Sequence, residues 1–406
     1  MASAPVTRSR RREREESSEA TLREDLPKRR KTIGSSADDS LSASSPSRTV
    51  AGAVEQEHLV RDRDFYRDDG DCILRLDDTL FKVHKHKLSP NDEESVFNGM
   101  FALPSGGGDV AEGKDDTNPI KLAGDTLDEL RAFFEYAYAS PRSLQFKNIP
   151  DADLQKLIDT TRFTHKYRLE SFEDWAKDAI TDITSRNKGR ALKECSVETY
   201  ISLLYLDDLC EIPALRDRVR GEWLARMRQG SLWTSLPQAL EVSEALRFRQ
   251  FQGDIYYVAL QGLDRSADVV TGMAATNTVL PALGDLHNLR LLMGHRSLSM
   301  CWDRAIRGVP AFSKGLCKDE DCDCPALWRR EWRSAVQYTL TVAPGMAFLA
   351  RFYTLQENLS GARSLACKTS AYAATHTVQR MINSLNHSLA DHFLGPEPDL
   401  AAQGEA

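Results

Sequence analysis

Three short stretches carry residue types whose spacing could support chemistry. The first is His84-x-His86, two imidazoles set among Lys82, Lys85 and Lys87. On an extended strand that spacing puts both rings on one face, an arrangement that metals use. Three neighbouring ammonium groups would repel a cation and no third ligand lies nearby, so structural histidines on a half-exposed strand are expected. The second is Cys317-x4-Cys322-x-Cys324. Thiolates this close can bind zinc, with Cys301 or His295 completing the ligand set if the chain folds back. Paired C-x2-C knuckles are absent, and Asp319, Glu320, Asp321 and Asp323 read as a solvated acidic loop. The third is Gly108-x4-Gly113-Lys114, close to a phosphate-cradling loop. That motif needs Ser or Thr after the lysine, a strand before the glycines and a helix behind them. Here Asp115 and Asp116 follow, no strand precedes, and a flexible insertion is expected.

Nucleophilic chemistry finds no support. There is no G-x-S-x-G elbow, no Cys/His arrangement with a local signature, and no carboxylate pair whose spacing demands acid–base work. No catalytic residue, cofactor or resident metal is therefore assigned, and Cys317, Cys322 and Cys324 stand as the zinc candidates. The Trp-Arg stretch WRREWRSAV could in principle stack bases. Trp328 and Trp332 lie four apart, however, so they read as the core stripe of a helix with Arg329, Arg330 and Arg333 facing solvent.

The elements that position these residues follow from periodicity. In DCILRLDDTLFKVHKHKL (71–88), Cys72, Leu74 and Leu76 alternate with Asp71, Ile73 and Arg75; Phe81 and Val83 alternate with Leu80, Lys82 and His84. A two-residue loop at Asp77-Asp78 sets Leu76 opposite Thr79, Leu74 opposite Phe81 and Cys72 opposite Val83. The other face pairs Ile73 with Lys82, Arg75 with Leu80 and Asp71 with His84, leaving a partly polar surface available. A helix capped by Ser89, with Pro90 in its first turn, then carries Val96, Phe97, Met100 and Phe101 on one edge. PSGGGDVAEGKDDTNP (104–119) is a loop and PIKL a short strand. Asp125 or Thr126 caps a helix striped by Leu127, Leu130, Phe134, Ala137 and Tyr138. A third helix carries Leu154, Leu157, Ile158 and Thr161; a fourth is capped by Ser171, with Phe172, Trp175, Ala176 and Ala179 facing inward.

Beyond residue 188 the pattern is helical throughout, from YISLLYLDDL and the Leu215, Val219, Trp223, Met227 stripe to a last helix from about Ala371 to Phe393. The chain has 406 residues, 41% hydrophobic and 28% charged, enough for two cores plus tails. A net charge of −7 argues against nucleic acid as a direct partner. No apolar run approaches the ~18 residues of a membrane helix. Residues 1–60 are rich in Ser, Arg and Glu and expected to be disordered. Two basic clusters lie there, RSRRRERE and Lys28, Arg29, Arg30 and Lys31, candidates for nuclear import. MASAPVTRSRRRERE lacks the apolar segment of a secretory signal, and eight scattered cysteines fit a reducing compartment, so a nuclear or cytoplasmic location is expected, the nucleus favoured by the basic clusters.

The order hairpin, helix, Gly-rich loop, strand and helices resembles the BTB/POZ domain, in the form abundant among fungi. The residues that carry the resemblance are DCILRLDDTLFKVHKHKLSPNDEESVFNGMF, NPIKLAGDTLDELRAFFEYAY and LIDTTRFTHKYRLESFEDWAKDAI, within about 64–185. Loop 104–119 is longer than the family's usual connection, and SPNDEES replaces its commoner small-residue helix start. The resemblance implies an α+β BTB/POZ domain over 61–185, followed by a mostly α-helical domain over 186–395 and a flexible tail over 396–406. It implies a non-enzymatic protein–protein interaction scaffold, homodimeric through that domain. Such modules serve transcriptional co-regulators and substrate adaptors of cullin-based ubiquitin ligases. It also places Asp71 and Lys85, beside His84, in a charged groove near the dimer interface. Phe65, Tyr66, Phe97, Met100 and Phe101 fall where members of the family dimerise or pack their first helix. Periodicity leaves open which of these are core and which interface. No kelch repeat or zinc finger follows, so neither substrate nor DNA site is named, and a zinc-dependent or nucleic-acid-binding protein using the cysteine cluster is the competing class.

Overall fold

The computed structural model describes residues 59–89, 95–102, 112–212, 214–265, 279–310, 323–343, 345–360 and 368–397. The readings at Lys28, Arg29, Arg30 and Lys31, at Pro90, at Gly108, at Cys317 and at Cys322 lie outside these residues.

Strands β1 (Val60–Tyr66), β2 (Cys72–Leu76), β3 (Thr79–Val83) and β4 (Ile120–Lys121) form a mixed sheet in the order β1-β3-β2-β4. The central hairpin has the register read from the sequence: Cys72 faces Val83, Leu74 faces Phe81 and Leu76 faces Thr79. Asp77 takes a left-handed φ of 50° to close the two-residue loop. Cys72, Leu74, Leu76, Phe81 and Val83 are buried on one face. The opposite face is less polar than expected, because Ile73 and Leu80 are buried as well, Arg75, Lys82 and His84 are half-buried, and Asp71 is exposed. β3 ends at Val83, so His84 and His86 do not share a strand face: His84 is the N-cap of a four-residue helix α1 (Lys85–Leu88), which contains His86.

β1 pairs parallel with β3 and was not legible as a strand, because its one buried residue is an acid. Asp62 Oδ1 accepts the backbone N–H of Asp64 and Phe65 and Oδ2 accepts from Arg131 Nε at 2.9 Å, holding the irregular register between Arg61 and Tyr66. β4 runs parallel to β2, with Leu74 beside Ile120.

Helix α2 (Val96–Ala102) follows α1. Ser89 is the C-cap of α1, and its hydroxyl donates to Asn98 Oδ1; the helix start expected at Ser89-Pro90 runs into residues outside the described ones. Helix α3 (Leu127–Ala137) opens on a capping box, Thr126 Oγ1 accepting from the Glu129 N–H and the Glu129 carboxylate accepting from the Thr126 N–H. Helix α4 (Leu154–Lys166) precedes α5 (Glu170–Glu194). Helix α5 starts at Leu169 as N-cap without a side-chain cap, so the expected Ser171 cap is not used. Its helical geometry is interrupted from Arg186 to Gly189, three of those residues having positive φ. Arg186 holds the break: its guanidinium donates to Asp151 at 2.6 Å and to the carbonyls of Phe146 and Ile149.

The rest of the described chain is helical: α6 (Val197–Cys210), α7 (Leu215–Arg228), α8 (Leu236–Ala245), α9 (Arg249–Arg265), α10 (Val279–Arg307), α11 (Cys324–Val342), α12 (Phe348–Ser360), α13 (Lys368–His387) and α14 (Leu389–Leu394). The single last helix expected from Ala371 to Phe393 is broken at Ser388 into α13 and α14. Two apolar clusters organise the fold. One joins the hairpin to Phe97, Leu130, Phe133, Phe134, Phe163 and Tyr167. The other starts on α4 and α5, at Leu157, Ile158, Ile180 and Ile183, and runs through Trp223, Phe251, Trp302, Trp332 and Phe352 to Phe393. Helix α14 seats closely because Gly253 and Gly294 lack side chains: a Cβ at Gly253 would lie 2.6 Å from Ala390 Cα, and one at Gly294 2.0 Å from the Phe393 ring.

Candidate functional site

The hairpin, which the sequence made legible, converges with α1, α2 and the end of α3 to build the site. The Asp71 N–H donates to the Val83 carbonyl at 3.0 Å, extending the hairpin one residue past its last pair. Its carboxylate then turns to the start of α1, where Oδ1 accepts the Lys85 N–H at 2.7 Å. The Asp71–Lys85 relationship of the sequence reading is therefore a main-chain contact. The Lys85 ammonium instead lies 5.0 Å from the centroid of the Phe101 ring.

His84 is locked from both sides. Its backbone N–H donates to the Tyr138 hydroxyl at 3.0 Å, and its Nδ1 lies 2.9 Å from the same oxygen. Because that oxygen already accepts the amide, its own proton is free for Nδ1, which leaves Nε2–H facing Asp69 Oδ2 at 3.4 Å. Burial pushes the Tyr138 phenol above its ordinary pKa, so it remains a donor. Arg67 lies over the Tyr138 ring at 4.8 Å and Phe65 stacks beside it at 6.4 Å. This is an aromatic and hydrogen-bonded joint, with the His84 imidazole serving structure. His84 and His86 have ring centroids 5.3 Å apart.

The apolar residues of α2 divide. Phe97 is fully buried against Tyr167, centroids 4.5 Å apart, while Met100 and Phe101 are half-buried and Val96 is 39% exposed. Phe65 and Tyr66 on β1 are also half-buried. Tyr66 donates to Asp116 Oδ1 at 2.5 Å, and Arg61 donates to Asp116 Oδ2 at 2.7 Å. Burial first, and then the Asp116 hydrogen bond, push the Tyr66 phenol up to about 12. Asp116, in the stretch expected to be a flexible insertion, thus pins the 112–119 segment to β1. Gly113 has its N–H on the Asn118 carbonyl and its own carbonyl on the Ile73 N–H, so its amide is not available to cradle phosphate.

One group of possible metal ligands was missed from the sequence, since its members are far apart in the chain. His165, Glu173 and Cys210 bring ligand atoms within 4.8 Å of one another. Glu173 Oε1 already accepts from Lys177 Nζ at 2.6 Å, with His165 Nδ1 at 3.1 Å. Burial works against the Lys177 ammonium, yet the hydrogen bond and charge of Glu173 outweigh it and hold its pKa above the ordinary value. Burial pushes the Cys210 thiol up to about 12, keeping it protonated. A cation is thus already present as Lys177, and the group is an ion-pair network. Cys324 opens α11, Cys301 is half-buried on α10, and His295 packs its ring 5.9 Å from that of Phe348. Trp328 and Trp332 are 2% and 1% exposed, which removes their faces from base stacking, whereas Arg329, Arg330 and Arg333 are exposed.

Comparison with models of known families, with curated proteins and with solved structures returns no match. Among the described residues no helix is long and apolar enough to cross a membrane.

Proposed function

We propose that the chain is a protein–protein interaction scaffold whose residues 61–185 form a BTB/POZ-type module that pairs with a second copy. The observation that carries this reading is the division of α2: Phe97 is fully buried in the core, Met100 and Phe101 pack half-buried at its edge, Val96 is exposed, and Lys85 lies over the Phe101 ring. Support also comes from β1, an edge strand of the sheet whose outer backbone edge has no neighbouring strand among the described residues. Among the described residues the hairpin is followed by α1, α2, β4 and α3 to α5, close to the hairpin, single helix, loop, strand and helices that carry the resemblance. In this reading β1 and α2 meet their counterparts in the second copy, and the helical half recruits a further protein. A role as transcriptional co-regulator fits the basic clusters near the N-terminus; adaptor to a cullin is the narrower alternative.

The experiment is light scattering coupled to gel filtration on the full chain at micromolar concentration. A dimer that the α2 variant Phe101→Asp converts to a folded monomer supports the reading; a wild-type monomer counts against it. Affinity capture with mass spectrometry then separates cullin from co-regulator partners.

A further inference from the structure

A cleft in the helical half, remote from the β-sheet, has the chemistry of a small-molecule site. It holds about 560 Å³ between α10 and α13, with Phe352 of α12 in its wall and His392 of α14 at its side. Ligand sites in proteins run from roughly 300 to 1,000 Å³, so the volume suits a small organic molecule. The lining divides into two chemistries. Met300 is exposed and Ala305 and Met381 are half-buried, supplying apolar surface above the buried Phe352 and Leu385. Arg304 and Arg380 supply two guanidinium groups, and no carboxylate lines the cleft among the described residues. Arg380 donates to Thr377 Oγ1 at 3.2 Å, and no ion pair to either arginine is found among the described residues. Both residues are exposed, so an anion reaching the cleft from solvent can meet them.

The polar wall reinforces that complementarity. Ser297 Oγ lies 2.8 Å from His392 Nδ1, and Ser384 and Ser388 add further hydroxyls. Ser388 marks the break between α13 and α14, and its Oγ donates at 2.9 Å to the carbonyl of Ser384 in the last turn of α13. Burial lowers the His392 pKa, so the imidazole contributes a hydrogen bond and the arginines the charge. Guanidinium matches a carboxylate or phosphate head by parallel N–H···O bonds, while a neutral chain gains by covering the methionines and Ala305.

We propose that this cleft binds a single-chain anionic amphiphile, its head held by Arg304 and Arg380 and its chain laid against Met300, Ala305 and Met381. The site is independent of the interaction module proposed above, because its residues lie on α10 and α12 to α14.

Calorimetric titration of the full chain with decanoate, decyl phosphate and decyltrimethylammonium, each below its micelle concentration, tests this. Saturable one-to-one binding of an anion, at least tenfold tighter than the cation, is expected; the two anions distinguish a carboxylate from a phosphate head. The double variant Arg304→Ala/Arg380→Ala should weaken anion binding at least tenfold with an unchanged circular dichroism spectrum. Ser384→Phe, which fills the cleft and leaves both arginines, should weaken it as well. Equal binding of cation and anion, no saturable anion binding, or undiminished binding by the arginine variant overturns the proposal.

Discussion

The carboxylate of Asp71 accepts the backbone N–H of Lys85 at 2.7 Å, tying the end of the hairpin to the first turn of α1. The bond fixes where the chain leaves the sheet, and so where α2 presents its half-exposed residues. It also separates the roles of the two charges. Asp71 works through an amide that any residue at 85 would offer, whereas the Lys85 ammonium rests over Phe101. Asp71→Ala should cost about 1 kcal/mol, as loss of a helix-start acceptor does, and Asp71→Asn should retain much of that stability. Lys85→Ala should change stability by less than about 1 kcal/mol. Urea unfolding followed by circular dichroism separates the three variants, and an equal loss from Lys85→Ala would show that the pair acts through its charges.

The seat of α14 gives a second expectation. At Gly253 a methyl group would meet the backbone of Ala390, which cannot move without displacing α14. Gly253→Ala should destabilise by about 1–3 kcal/mol despite the better helix propensity of alanine. Gly221 lies on α7 with open space around its Cβ position, so Gly221→Ala should be neutral or stabilising. Thermal unfolding of the two variants side by side makes the comparison.

Arg186 bridges the break in α5 to Asp151 and to two carbonyls. Arg186→Ala leaves those acceptors short of a donor and should cost about 2 kcal/mol, with Arg186→Lys recovering only part because one ammonium cannot span the fork. Hydrogen exchange should show the added opening at 146–153 before the hairpin.

The Tyr66–Asp116 contact sets a pH dependence. Tyr66 titrates near 12 when folded, above the ~10 of an unperturbed phenol, so its contribution is fully present below pH ~10. It is lost as the pH rises from ~10 through about 12. Asp116 behaves oppositely: burial alone would raise its pKa, but hydrogen bonds from Tyr66 and Arg61 and the Arg61 charge lower it. Its contribution is present above the ordinary carboxylate pKa of ~3.9 and is lost as the pH falls through its lower folded value. Difference titration of the phenolate band between wild type and Tyr66→Phe should place this tyrosine near 12; titration near 10 would mean the contact does not form.

What the sequence made legible was the part governed by period. The hairpin register followed from apolar alternation, and the Leu215, Val219, Trp223, Met227 stripe of α7 from helical spacing. β1 escaped because Asp62 is its buried residue and its register is irregular, so no alternation marks it. That Ser89 ends α1 was not legible either, because a helix of four residues leaves no periodic signal. The locking of His84 by Tyr138 spans 54 residues, and the cleft gathers side chains from Ser297 to His392; neither has a local signature. The division of α2 was equally hidden, since Phe97 and Phe101 lie on one helical stripe and only tertiary packing exposes the second.

The central claim is that this chain works by contact with a second copy through β1 and α2. Light scattering on the full-length protein and on Phe101→Asp tests it most directly. The account expects twice the chain mass of 45.5 kDa for the wild type, and a folded species of single-chain mass for the variant. A single-chain mass for both proteins at micromolar concentration would contradict it.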